Sequence, residues 1–144
     1  MKKLAIFVVA VFLAQYAWQN SGSDKRSTIT QTDTGRSAPT TTFERSHSNK
    51  QVQGHGEVLR VLSDDNDGSR HQRFILRLNS GQTLLIAHNI DLAPRISSLR
   101  TGDRVEFFGE YEWNSKGGVV HWTHHDPRGT HVAGWLKHDG RTYK

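Results

Sequence analysis

The sequence predicts an all-β domain with one short helix, built on five strands. Three observations carry that expectation. Short runs alternate apolar and polar residues with period two. Clusters of Gly, Asn and Asp separate those runs. One stretch alone, Asp91–Leu99, has partly helical spacing, and Pro94 limits it to a short helix or a loop.

The elements follow in order. Glu57–Leu62 is an apolar-rich strand, and Asp64-Asp65-Asn66-Asp67-Gly68 is the turn after it. Arg73–Leu78 alternates cleanly: Phe74, Leu76 and Leu78 point one way, Arg73, Ile75 and Arg77 the other. Asn79-Ser80-Gly81 makes a hairpin turn into Thr83–His88. After the Asp91–Leu99 connection, Thr101-Gly102-Asp103 leads into a fourth strand, Arg104–Trp113. Asn114–Gly118 turns the chain into a fifth, Val119–His125. Three strands, a short connection and two strands is the order of the oligonucleotide/oligosaccharide-binding (OB) Greek-key barrel. The tail from Asp126 to Lys144 is expected to wrap the outside of that barrel.

The chain is organised around this domain. Residues 1–18 carry Lys2 and Lys3 ahead of an apolar stretch, Leu4 to Ala14, with Ala17 as a cleavage point. This is the layout of a secretory signal, or of an N-terminal anchor if Gln15 prevents cleavage. Residues 19–51 read as a disordered polar linker, too poor in apolar groups to offset its ordering entropy. Residues 52–144 form the barrel domain with a His-rich C-terminal extension. The expected location is the periplasm or outside the cell, with the membrane involved only through an uncleaved N-terminus. The chain has no cysteine, which excludes lipoprotein anchoring and disulfides.

The net charge of +5 is misleading as a guide to partners. Residues 52–144 carry twelve basic and eleven acidic side chains, so the domain itself is nearly neutral. Nucleic-acid binding therefore requires segregation of charge onto one face. No protein partner is implied.

The segments Leu85–Ile96, Phe108-Gly-Glu-Tyr-Glu-Trp-Asn114 and Gly118-Val-Val-His-Trp-Thr-His-His-Asp-Pro127 resemble a family of small exported bacterial proteins. That family is known only as domain of unknown function 3465, and the resemblance covers Val52–Tyr143. It supports the domain boundary and implies no activity.

The chemistry rests on the residues. His121, His124, His125 and His131 fall within eleven positions, and His138 follows. Imidazole suits both metal ligation and proton transfer near neutral pH. On a straight strand His121 and His125 would stand about 13 Å apart, so one metal ion would need ligands from elsewhere. His124, His125 and His131 are the expected metal set, taking Zn²⁺, Mn²⁺ or Mg²⁺. His88, His121, His124, His125 and Asp126 are the expected catalytic set. Arg95, Asn89, Arg73 and Arg77 are the expected substrate contacts, with Arg60, Arg70 and His71 nearby in sequence. The alternative is that these histidines hydrogen-bond to loop carbonyls and cap the barrel ends.

Other patterns are weaker. Glu106, Glu110 and Glu112 share one face of the fourth strand and read as solvated. Asp64–Gly68 fails the calcium-loop pattern. A Gly-rich phosphate loop, a nucleophile elbow and a His-Glu-x-x-His motif are all missing from the sequence. Two functions remain: an exported phosphodiesterase, most plausibly a nuclease acting on DNA or RNA, and a non-catalytic envelope module binding nucleic acid, glycan or metal.

Overall fold

A computed structural model of the chain describes residues 42–144. The predicted signal or anchor, and the linker up to residue 41, lie outside the described residues.

Among the described residues there are seven strands: β1 (Lys50–Val61), β2 (His71–Arg77), β3 (Thr83–Asn89), β4 (Arg104–Glu112), β5 (Val119–His121), β6 (Trp135–His138) and β7 (Arg141–Tyr143). The first five close on themselves. β1 pairs with β2, β2 with β3, β3 with β5 in parallel, β5 with β4, and β4 returns to β1. This is the OB-type barrel. The core inside it comprises Val58, Phe74, Leu76, Leu84, Ile86, Ile96, Val105, Phe107, Tyr111, Val120 and Leu136, all fully buried.

Three features differ from the sequence reading. β1 begins at Lys50, and Phe43 is already buried against Phe107 and Tyr111. The fold therefore starts some ten residues before the boundary at 52. The Phe43 side chain, the Gln82 carboxamide that bonds both Phe43 N and O, and strand pairing to β4 hold this polar stretch in place. The 90–103 connection contains no helix. Gln72 holds it instead: its carboxamide donates to Ile96 O at 2.9 Å and accepts from Ile96 N at 2.9 Å. That clamp seats Ile96 in the barrel end, a job done by backbone-like hydrogen bonds rather than by helix packing. The tail does not merely wrap the outside. β6 hydrogen-bonds to the edge of β4 that β5 leaves free, and β7 pairs with β6.

β1 has to curl to serve both β2 and β4, and two glycines permit it. A Cβ on Gly54 would sit 2.7 Å from the Phe107 ring, and one on Gly56 2.6 Å from Arg77 O. Gly54→Ala is expected to destabilise the domain by about 1–3 kcal/mol through overpacking. Urea unfolding of the two proteins measures this directly.

Candidate functional site

The pleat decides which side chains can meet. Along β4, Val105, Phe107 and Tyr111 point inward, so Glu106, Phe108, Glu110 and Glu112 face out. On β5, Val120 points inward and His121 out. Register then lines residues up across the outer surface. Arg73 lies opposite Ala87, and Ala87, one residue past the Ile86–Val120 pair, is level with His121. His121 lies opposite Glu110, and Glu110 opposite Gln51. At about 4.8 Å per strand, Arg73 and His121 are separated by about 10 Å. Ile75 and Val119 form the next row, and both are buried although they are outside the barrel.

Ligand atoms of Glu110, Glu112 and His121 lie within 4.8 Å of one another. His121 Nε2 is 3.3 Å from Glu112 Oε1, and that imidazole holds the Glu112 carboxyl below the usual carboxylate range. The same His121 Nε2 is shut off from solvent without a well-formed hydrogen bond. So are both polar atoms of the Gln51 carboxamide. Buried polar atoms are nearly always satisfied, so these neighbouring exceptions set the place apart from the rest of the described surface.

The chain after β5 closes over this cluster. Trp122 has φ +52°, a left-handed conformation that costs a bulky residue about 1–3 kcal/mol. It ends the alternation and turns the chain back. Asp126 then organises the loop, accepting from the backbone N–H groups of Arg128, Thr130 and His131 and from the Thr130 hydroxyl. Those donors hold its carboxyl far below its ordinary value, the Arg128 N–H first. The loop delivers His131, whose ring stacks on Trp122 at 4.0 Å and 9°. Its Nδ1–H donates to Val132 O at 2.8 Å, and Nε2 meets Glu110 Oε2 at 2.5 Å.

The other predicted site residues are placed as follows. His88 is fully buried: Nε2–H donates to Pro94 O at 3.2 Å, and Nδ1 accepts from the Thr123 hydroxyl at 2.8 Å. Burial, with repulsion from His124 and His71, lowers its pKa to about 4. With both nitrogens engaged it is a structural histidine, not a base. Asp126 shapes the loop and does not orient an imidazole. Arg95 closes its guanidinium on Asp64 at 3.0 and 3.1 Å, Arg77 pairs with Glu57, and Asn89 caps a turn by accepting from Asp91 N. Arg73 donates from Nε to Ser63 O. His125 is exposed and gives its carbonyl to His124 Nδ1–H at 2.7 Å. His124, His125 and His131 are not brought together; the sharp turn at Trp122 sends His131 to Glu110 instead. His138 donates from Nε2 to Asp103 at 2.8 Å from inside the barrel end.

Three residues were undervalued in the sequence. Glu110 and Glu112 read as solvated because nothing local announces that a distant loop covers them. His71 was grouped with the arginines of β2. It faces out beside Asn89, with Nδ1–H tied to Ser69 O at 2.7 Å and no protein partner on Nε2 among the described residues. Burial lowers its pKa, so the ring is neutral at pH 7.

Fold and site thus define an OB-type barrel carrying a carboxylate–imidazole cluster on its outer sheet. Residues 26–144 match the model of the family described as protein of unknown function (DUF3465). The chain belongs to that family. No curated protein and no solved structure matches it.

Proposed function

We propose that this is an exported, divalent-metal-dependent phosphodiesterase of the nuclease type, with its metal held by Glu110, Glu112 and His121. One observation carries the reading: three ligand atoms lie within 4.8 Å of one another, Glu110 and His121 on the same outer row as Arg73 and Glu112 on the next, with Arg77 four residues further along β2. Two carboxylates would neutralise a divalent cation. The cation would polarise a phosphoryl oxygen and lower the pKa of a water to about 7. Without it, the same carboxylates repel a phosphate, so binding and hydrolysis both depend on the metal. Arg73 and Arg77 supply positive charge where a polymer crosses β2 and β3. A water oxygen would bond to phosphorus as one P–O ester bond breaks, the departing alkoxide taking a proton from solvent. His71, with an open Nε2 on this face two strands from His121, would receive the attacking water's proton through intervening water.

A second reading keeps the metal and drops the turnover. It is favoured by the covering loop, which leaves His121 and Glu110 each about three-quarters enclosed, with side-chain exposures of 23% and 21%. One experiment separates the two. The protein is stripped with chelator and offered single-stranded DNA, RNA and bis(p-nitrophenyl) phosphate, with Zn²⁺, Mn²⁺ or Mg²⁺ restored in turn. The phosphodiesterase reading expects turnover only after metal is restored. Metal uptake without any turnover leaves the binding module.

A further inference from the structure

We infer that His131 is a fourth metal ligand, and that the 122–134 loop is a strap which the bound ion fastens onto the sheet. This rests on the metal site proposed above and goes beyond it to the choice of ion and to the loop's behaviour.

The geometry is specific. His131 Nδ1–H is spent on Val132 O, so the other nitrogen is the one turned to the cluster. A main-chain carbonyl behind the ring is the usual support for a metal-bound imidazole, because it fixes the tautomer and the ring's direction. The Trp122 stack fixes the ring plane. Nε2 and Glu110 Oε2, 2.5 Å apart, share one small volume. Two ligands of a tetrahedral zinc site stand about 3.3 Å apart when each is 2.0–2.1 Å from the ion. Opening that pair by about 1 Å would make room for an ion beside Glu110, and because His131 is not among the side chains already within 4.8 Å of one another, the loop would draw in further to share the ion of Glu112 and His121. The independent sign of a missing group is the enclosed Gln51 carboxamide, which register places opposite Glu110 and which has no hydrogen-bond partner, beside a His121 Nε2 held only by a long contact to Glu112.

The donor set selects the ion. Two imidazoles and two carboxylates suit Zn²⁺, Co²⁺ or Cu²⁺, and with four protein ligands the water that hydrolysis needs would enter as a fifth. Mg²⁺ and Ca²⁺ prefer six or more oxygens. The loop's attachment is correspondingly thin. Val132 and the 127–130 segment are exposed; Gly134 N donates to His124 O within the loop, the buried Thr123 hydroxyl ties its start to His88, and His131 is the side chain that carries its middle to Glu110. Glycine is required at 134, since a Cβ would fall 1.9 Å from Trp122 O.

The test uses the whole protein, titrated with Co²⁺ and with Mg²⁺, and read by visible ligand-field absorption and by hydrogen exchange of amides 128–132. Wild type is expected to give intense tetrahedral-type Co²⁺ bands and strong slowing of exchange in the strap. Mg²⁺ should do neither. His131→Ala is expected to weaken Co²⁺ binding at least about tenfold, shift its bands and abolish the slowing. His131→Gln keeps size and polarity but not the ligand, and should behave like alanine. Circular dichroism of both variants must match wild type. Unchanged Co²⁺ spectra and protection in folded variants would overturn the inference, as would Mg²⁺ binding as tightly as Co²⁺. Failure of the hydrolysis reading looks different: metal binds and the strap tightens, but no substrate turns over.

Discussion

Acidification from pH 7 to pH 4 is expected to remove about 3 kcal/mol of folding stability through His88 alone. Its folded pKa of about 4 lies below the 6.5 of an unfolded histidine. The sign follows from proton uptake. Between those values the unfolded chain binds a proton that the folded barrel refuses, so stability is complete above pH 6.5 and lost as pH falls towards 4. The refusal has a structural cause: Nε2–H is committed to Pro94 O, and protonation of Nδ1 would place a second N–H against the Thr123 hydroxyl in a fully buried position. His71 and His124 are shifted the same way, chiefly by burial. Below pH 4 a second loss follows, as Asp126, Asp91, Asp103 and Glu112, all held below their ordinary values, take up protons. Urea midpoints measured across pH 4–8 should slope steeply in wild type. Thr123→Val removes the hydroxyl donor to Nδ1 and should lower stability throughout. A flat profile between pH 4 and 6.5 would mean that His88 is not held neutral.

Metal uptake and turnover should both collapse when the cluster is cut. Glu110→Gln leaves the shape of the site and removes one carboxylate charge; His121→Ala removes a ligand. Each is expected to cost at least about 100-fold in hydrolysis, the scale seen when a single well-placed electrostatic group is lost. Because Glu110 and His121 both face outward from the barrel, melting temperatures should change little. Replacing His125, which is exposed, should leave turnover near wild type. Isothermal titration with Zn²⁺ and hydrolysis assays on the same preparations check the pairing of the two losses. Full turnover in a metal-free Glu110→Gln protein would remove the cluster from the chemistry.

The barrel was legible because its signals are local. Phe74, Leu76 and Leu78 alternate with Arg73, Ile75 and Arg77, and all three of the first set are buried in the core. Turn residues at Gly68, Gly81 and Gly117–Gly118 have the positive φ their type allows. The site was legible only in part. Histidine density pointed to a stretch from which His121 joins the carboxylate cluster and His131 reaches Glu110. Its partners Glu110 and Glu112 come from β4, and the pairing is set by the register of β4 against β5, which no local pattern specifies. The break at Trp122 was equally hidden, since a bulky residue rarely takes a left-handed conformation. His88 was misread for the opposite reason. Its partner Pro94 is near in sequence, but burial of the ring depends on the Gln72 clamp that seats the 90–103 connection. The Asp126 loop, by contrast, carries a readable signal. Asp-Pro-Arg-Gly is a turn sequence in which the aspartate side chain commonly serves the backbone.

Crystals of the protein grown with Zn²⁺ and measured across the zinc absorption edge test the central claim most directly. The account predicts one strong anomalous peak on the outer sheet, about 2.0–2.2 Å from ligand atoms of Glu110, Glu112 and His121, with His131 Nε2 drawn up to the same ion. A peak at His124 and His125 instead, or a Glu110–His131 contact that persists beside an ion-free cluster, would contradict it.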